Sequence, residues 1–240
     1  MRPQLGRQLR GLKWRALWVL SALGVGSSLT FYYRKEIFHL LLAPADGQLS
    51  PSGMPVFISP TEMFSVTIDL LIKGGLVLAI PMAAFQFYRF LCPLIGRTPR
   101  RLIRTYLLMG AALYLSGMAF AYFVMLPTGM QFLMQYGTDI ATPMIRISEY
   151  IALAMALTFW LGFLFELPLA MMLLAHLRLV SYKQFRKVPR RYIALSAFIL
   201  GAIVTPTFDM VNQTLVAVPL IVLYEVGVGL AYLVRPRVRR

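Results

Sequence analysis

Of the 240 residues, 59% are hydrophobic and only 14% charged, with a mean hydropathy of +0.70, which is too apolar for a soluble domain, where about a quarter of residues are charged. The formal charge of +15 must then sit in short stretches between apolar ones, which excludes a nucleic-acid binder with its basic, water-facing patch. The single Cys92 and two distant histidines exclude an intrachain disulfide framework and a zinc-type ligand cluster. An integral membrane protein remains, and no cofactor or metal is expected.

In chain order, the apolar runs at 16–33, 64–90, 102–125 and 150–177 are clear candidates to cross about 30 Å of hydrocarbon, and 192–204 and 216–234 are weaker ones. The fifth would be only about 20 Å long as a helix, and the sixth is interrupted by Pro219 and Glu225. The predicted fold is all-α and polytopic, a single transmembrane domain over 1–240 with six helices. The basic start could belong to a signal peptide, but Ser27-Ser28-Leu29-Thr30-Phe31-Tyr32 is a poor cleavage site, so an uncleaved first helix is expected. The loop at 34–61 holds Pro44, Pro51, Pro55 and Pro60 and is long enough to cap the outer face.

The charges test this count, because Lys and Arg concentrate in cytoplasmic loops. Five lie before the first span, five lie around the second loop (Arg89, Arg97, Arg100, Arg101, Arg104), six in the fourth (Arg178, Lys183, Arg186, Lys187, Arg190, Arg191) and four at the C-terminus, together 20 of the 24. The other side holds Arg34, Lys35 and Arg146, and Lys73 falls within a span. Both termini are therefore predicted to be cytoplasmic. Six of the nine acids fall outside, Asp69, Glu166 and Glu225 fall in spans, and none falls in a cytoplasmic segment.

Ser59-Pro60-Thr61-Glu62 reads as a capping box opening the second span. Thr98-Pro99 reads as the start of the third, although Arg100 and Arg101 then oppose the helix dipole. An ionisable residue deep in a span costs at least about 2.5–3.5 kcal/mol and needs a reason. Glu166, in Phe163-Leu164-Phe165-Glu166-Leu167-Pro168, is the sharpest case. Pro168 deprives the Leu164 carbonyl of its helical donor, so a kink with a polar notch is predicted there. Asp69 and Lys73, one turn apart, are expected to pair. Glu225 is placed mid-span, with function and inter-helix bonding evenly balanced. His39 and His176 read as interfacial, Cys92 as a small apolar residue, and Arg100-Arg101 and Arg190-Arg191 as topology determinants that can also meet lipid phosphate. A fifth helix shorter than the bilayer would thin the membrane locally or hide behind other helices.

From Arg190 the chain runs Arg-Arg-Tyr-Ile-Ala-Leu-Ser-Ala-Phe-Ile-Leu-Gly-Ala-Ile-Val-Thr-Pro-Thr-Phe-Asp-Met-Val-Asn-Gln-Thr and continues to Tyr224-Glu225. Upstream stand Phe165-Glu166-Leu167-Pro168, Phe120-Ala121-Tyr122-Phe123 leading to Pro127, and Phe90-Leu91-Cys92-Pro93. Together these resemble the TatC family, the core receptor subunit of the twin-arginine protein translocase, over about residues 59–231. The resemblance implies six helices, short fifth and sixth helices, and a concave, glove-like face that holds Glu166. It implies a cluster at Thr205, Gln213 and Asp209 that docks the single-span partners TatA and TatB, and a cytoplasmic signal-peptide site that includes Phe90 and Pro93.

The family's N-terminal pattern, His-Leu-x-Glu-Leu-Arg, aligns with Gln8-Leu9-Arg10-Gly11-Leu12-Lys13, so Lys13 takes the basic position and Gly11 replaces the acid. A second family acid aligns with Pro99. A cytoplasmic face without acids repels a twin-arginine peptide, so another subunit supplies the acids or substrate recognition is altered. The expected function is non-enzymatic: binding of twin-arginine signal peptides on folded proteins, recruitment of single-span partners, and export driven by the proton gradient across a bacterial inner membrane or an organellar one. The partners are TatA- and TatB-like proteins, the signal peptides, the bilayer and further copies of the chain. A proton-coupled transporter using Glu166, Asp69 and Lys73, and a membrane assembly scaffold, are the alternatives; the lack of repeated halves argues against the first.

Overall fold

The computed structural model describes residues 2–45, 57–95, 100–135, 145–177, 179–205 and 210–234, with the backbone alone at 2–12, 87–95 and 100–103. Among them the chain forms ten α-helices and divides into two compact units, Met1–Leu40 with Ser59–Leu108 and Leu41–Ile58 with Met109–Arg240.

In the first unit, α1 (Arg2–Tyr32) packs along α3 (Pro60–Ile95). Small residues make this closeness available, as membrane helices require in the absence of a hydrophobic drive between them. A Cβ on Gly26 would lie 3.0 Å from the Gly75 carbonyl oxygen, and one on Gly74 would lie 2.7 Å from Thr30 Oγ1. Two hydroxyls of α1 are satisfied within the helix: buried Thr30 donates to the Gly26 carbonyl at 2.9 Å and Ser28 to that of Gly24 at 2.9 Å. The chain then turns through 77° into the segment that includes α2 (Arg34–Leu42).

The predicted capping box is represented at α3 by the Ser59 N–H, which donates to Glu62 Oε2 at 3.4 Å, and the Ser59 hydroxyl pairs with that of Thr61 at 2.8 Å. One turn into the apolar stretch, Lys73 Nζ closes on Asp69 Oδ2 at 2.6 Å, so the two cancel as their spacing predicts.

The helix α4 (Arg100–Phe120) begins in the first unit. In the second unit it passes through a π turn, Ala121–Met125, into α5 (Leu126–Gln135). The expected span 102–125 thus continues ten residues further than its apolar run. Pro127 lacks the donor that the regular ladder needs, and the wider turn, with the Leu126 N–H bonded to the Ala121 carbonyl, takes up the mismatch. There follow α6 (Ile147–Leu164), α7 (Leu167–His176), α8 (Tyr182–Lys187), α9 (Arg190–Val204) and α10 (Met210–Leu233), with α10 packed on α7 and α9. Gly227 permits the first of these contacts, its Cβ position lying 3.1 Å from Pro168 Cα, and Gly201 the second, 2.9 Å from the Gln213 carbonyl oxygen. The buried Tyr150 hydroxyl donates to the Leu41 carbonyl at 2.7 Å and holds the end of α2.

Among the described residues, four helical stretches are long and apolar enough to cross a bilayer: Pro60–Gln86, Arg104–Gln135, Ile147–His176 and Met210–Leu233. The bent pair Lys13–Tyr32 and Arg34–Ala45 makes a fifth if taken as one span. At 15 residues, α9 is about 22 Å long and too short to cross alone.

Candidate intramembrane acid site

The apolar stretch Ile147–His176 breaks where Pro168 predicts. The helix α6 ends at Leu164, Phe165 and Glu166 form a turn, and α7 restarts with Pro168 in its first turn. The Glu166 N–H bonds back to the Phe163 carbonyl at 3.1 Å and its own carbonyl accepts from Ala170 at 2.9 Å, so both backbone groups of Glu166 stay paired in the turn. The acid is half-buried in a stretch whose mean hydropathy is 1.9.

The wall beside this turn comes from α4. Gly117 lies against α6 so closely that a Cβ would sit 2.6 Å from the Leu161 carbonyl oxygen and 2.8 Å from Phe165 Cβ. Gly162 returns the contact, its Cβ position lying 2.7 Å from Tyr114 Cε2. The Phe120 and Phe165 rings meet at 5.6 Å between centroids, tilted by 33°. The Tyr114 hydroxyl is buried, has no hydrogen-bond partner among the described residues, and lies within electrostatic reach of Glu166. Sequence reading did not single out Tyr114. It sits in a run of apolar residues, and only its register with Gly117, one face of one helix, could have indicated it.

The predicted partner-docking residues are engaged inside the unit. Thr205, 5% exposed, donates its hydroxyl to the Gly201 carbonyl at 2.8 Å, and Gln213 Nε2 donates to the Phe198 carbonyl at 2.8 Å. The first bond closes the end of α9 on itself, and the second fastens α9 to the start of α10. Asp209 lies outside the described residues. Glu225 is exposed and meets the first residue of α9: its Oε1 is 3.7 Å from Arg190 Nε, because the short α9 runs alongside only part of α10. Lys13 is exposed, Phe90 and Pro93 lie on α3 with side chains outside the described residues, and Gly11 is described by its backbone alone; Pro99 lies outside the described residues. No cluster of three or more metal-ligating side chains is assembled among the described residues.

The same arrangement of helices recurs in known proteins. The family "Sec-independent protein translocase protein (TatC)" matches residues 7–219. The Sec-independent protein translocase protein TatC of Carboxydothermus hydrogenoformans is 33% identical over 216 residues, covering 90% of this chain and 87% of that one. The protein of the same name from Escherichia coli is 33% identical over 197 residues, covering 82% and 76%. A crystal structure of the twin-arginine translocase receptor TatC superposes with a TM-score of 0.82 at 32% identity, covering 95% of this chain and 99% of that one. This chain therefore belongs to the TatC family of Sec-independent protein translocase proteins, multi-pass proteins of the bacterial inner membrane.

Proposed function

We propose that the chain is the receptor and core subunit of a twin-arginine translocase, binding signal peptides of folded proteins and recruiting TatA- and TatB-like single-span helices for export driven by the proton gradient. In this reading both termini are cytoplasmic and the short α9 serves as one of six spans, as the distribution of the basic residues requires. Lys13, Phe90 and Pro93 belong to the signal-peptide site, and the end of α9 and start of α10, with Thr205, Asp209 and Gln213, to the partner site.

The observation that carries the proposal is Glu166, a half-buried carboxyl at the break of an otherwise apolar helix pair. A packing role would be filled more cheaply by serine. A polar notch next to a helix too short for the bilayer favours local thinning, which lowers the barrier for a polar segment to cross. A carrier that moves protons through Asp69 and Lys73 is disfavoured, since those residues are already closed on each other at 2.6 Å. Glu166→Gln should insert and fold normally yet impair export of a twin-arginine reporter protein; unchanged export would remove Glu166 from the mechanism. A photocrosslinker at Gln213 should capture a small single-span protein, and the absence of any such adduct would count against partner docking there.

A further inference from the structure

A second site stands apart from Glu166, at the corner where α8, α9 and α10 meet. It is a cavity of about 570 Å³ whose lining includes Arg186, Arg190, Glu225, Tyr182, Tyr232 and Val228. Its walls are fixed by contacts between α8 and α10: the Tyr224 hydroxyl donates to the Phe185 carbonyl at 2.8 Å, and the Tyr182 and Tyr232 rings meet edge to face at 5.2 Å. Ser181 anchors α8 by donating its N–H to Gln184 Oε1 at 2.7 Å. The charges are unbalanced. Glu225 is the single acid of the lining, it holds Arg190 loosely at 3.7 Å, and Arg186 has no ion pair among the described residues.

The surroundings identify the kind of anion. On α10, Val218, Val222 and Gly229 share the face of Glu225 at spacings of three and four residues, and Val218 and Val222 are 52% and 57% exposed. A strip of exposed apolar surface thus runs from the mouth of a cationic, tyrosine-lined cavity along a membrane helix. A free anion would use only the cavity. A molecule with a phosphodiester head and acyl chains uses both, with the guanidinium groups on the phosphate and the chains along the valines. We propose that this corner is a binding site for one anionic phospholipid, its phosphate held between Arg186 and Arg190.

The test is lipid retention by the purified full-length protein in detergent micelles, read by native mass spectrometry against phosphatidylglycerol, phosphatidylcholine and inorganic phosphate. Phosphatidylglycerol should be retained in preference to phosphatidylcholine. Losing two charge-assisted contacts in Arg186→Gln with Arg190→Gln should weaken retention by about tenfold or more. Lys183→Gln with Lys187→Gln removes the same charge outside the lining and should leave it within about twofold, since exposed charges act weakly. Glu225→Gln, which removes the like charge, should tighten retention and also shows that a folded variant responds in the opposite direction. Equal losses in the arginine and lysine variants, or equal retention of the two lipids, would overturn the site. Displacement of the lipid by inorganic phosphate at equal concentration would overturn the lipid assignment in favour of a free-anion site.

Discussion

At the scale of single residues, the spans hold two kinds of polar group with opposite consequences. Asp69 and Lys73 satisfy each other, so removing either leaves an unpaired ion in an apolar helix, at a cost of about 2.5–3.5 kcal/mol. Asp69→Asn or Lys73→Gln alone should lower thermal stability in detergent, and the double variant should recover most of the loss; additive losses would show that the two do not act as a pair. Tyr114 is the reverse case, a buried hydroxyl without a partner among the described residues. Tyr114→Phe should be at least as stable as the parent, because it removes an unsatisfied group. A clear drop in melting temperature would reveal a partner for that hydroxyl. The Asp69–Lys73 pair and the position of Glu166 at a helix break were legible from spacing and from Pro168. Tyr114 was not, because a tyrosine in an apolar run gives no sign of where its hydroxyl points.

At the scale of elements, the break between α6 and α7 is what turns Glu166 out of a regular helical ladder. Pro168→Ala supplies the missing donor to the Leu164 carbonyl, so amide protection across 165–168 should rise and export should fall; unchanged protection would mean that the break has another cause. The close approach of α4 to this break depends on Gly117, whose Cβ position lies 2.6 Å from a backbone oxygen that cannot rotate away. Gly117→Ala should therefore destabilise by about 1–3 kcal/mol, read as a fall in melting temperature. The kink was predicted from one proline, but the π turn before Pro127 and the helix α8 were not. Both arise in segments that hydropathy marks only as an ending span or a basic loop. Ser181 followed by Gln184 was the available signal for α8 and was outweighed there by the charges. The partner of Glu225 was not legible for a related reason: its approach to Arg190 is set by where the short α9 begins, which the hydropathy of α10 does not record.

At the scale of the molecule, a net charge of +15 on so apolar a chain resolves into a map with 20 of 24 basic residues on the side assigned to the cytoplasm. Family membership and the helical arrangement were legible because the Pro, Glu and Gly positions that shape the helices are spelled out in the chain. The signal-peptide chemistry of the proposed function is less so, since by the resemblance Gly11 and Pro99 take the positions of acids, and a positive face would repel two arginines. Gly11→Glu with Pro99→Glu should therefore raise export of a twin-arginine substrate, and most strongly at low ionic strength in a reconstituted system. The most direct measurement is complementation of a bacterial strain lacking its own TatC, with membrane levels of the protein verified. The account predicts that this chain, with acids restored at positions 11 and 99 if the host partners do not supply them, exports a folded twin-arginine reporter, and that the same chain carrying Glu166→Gln does not. Failure of export at normal membrane levels with the acids restored, or full export with Glu166→Gln, would contradict it.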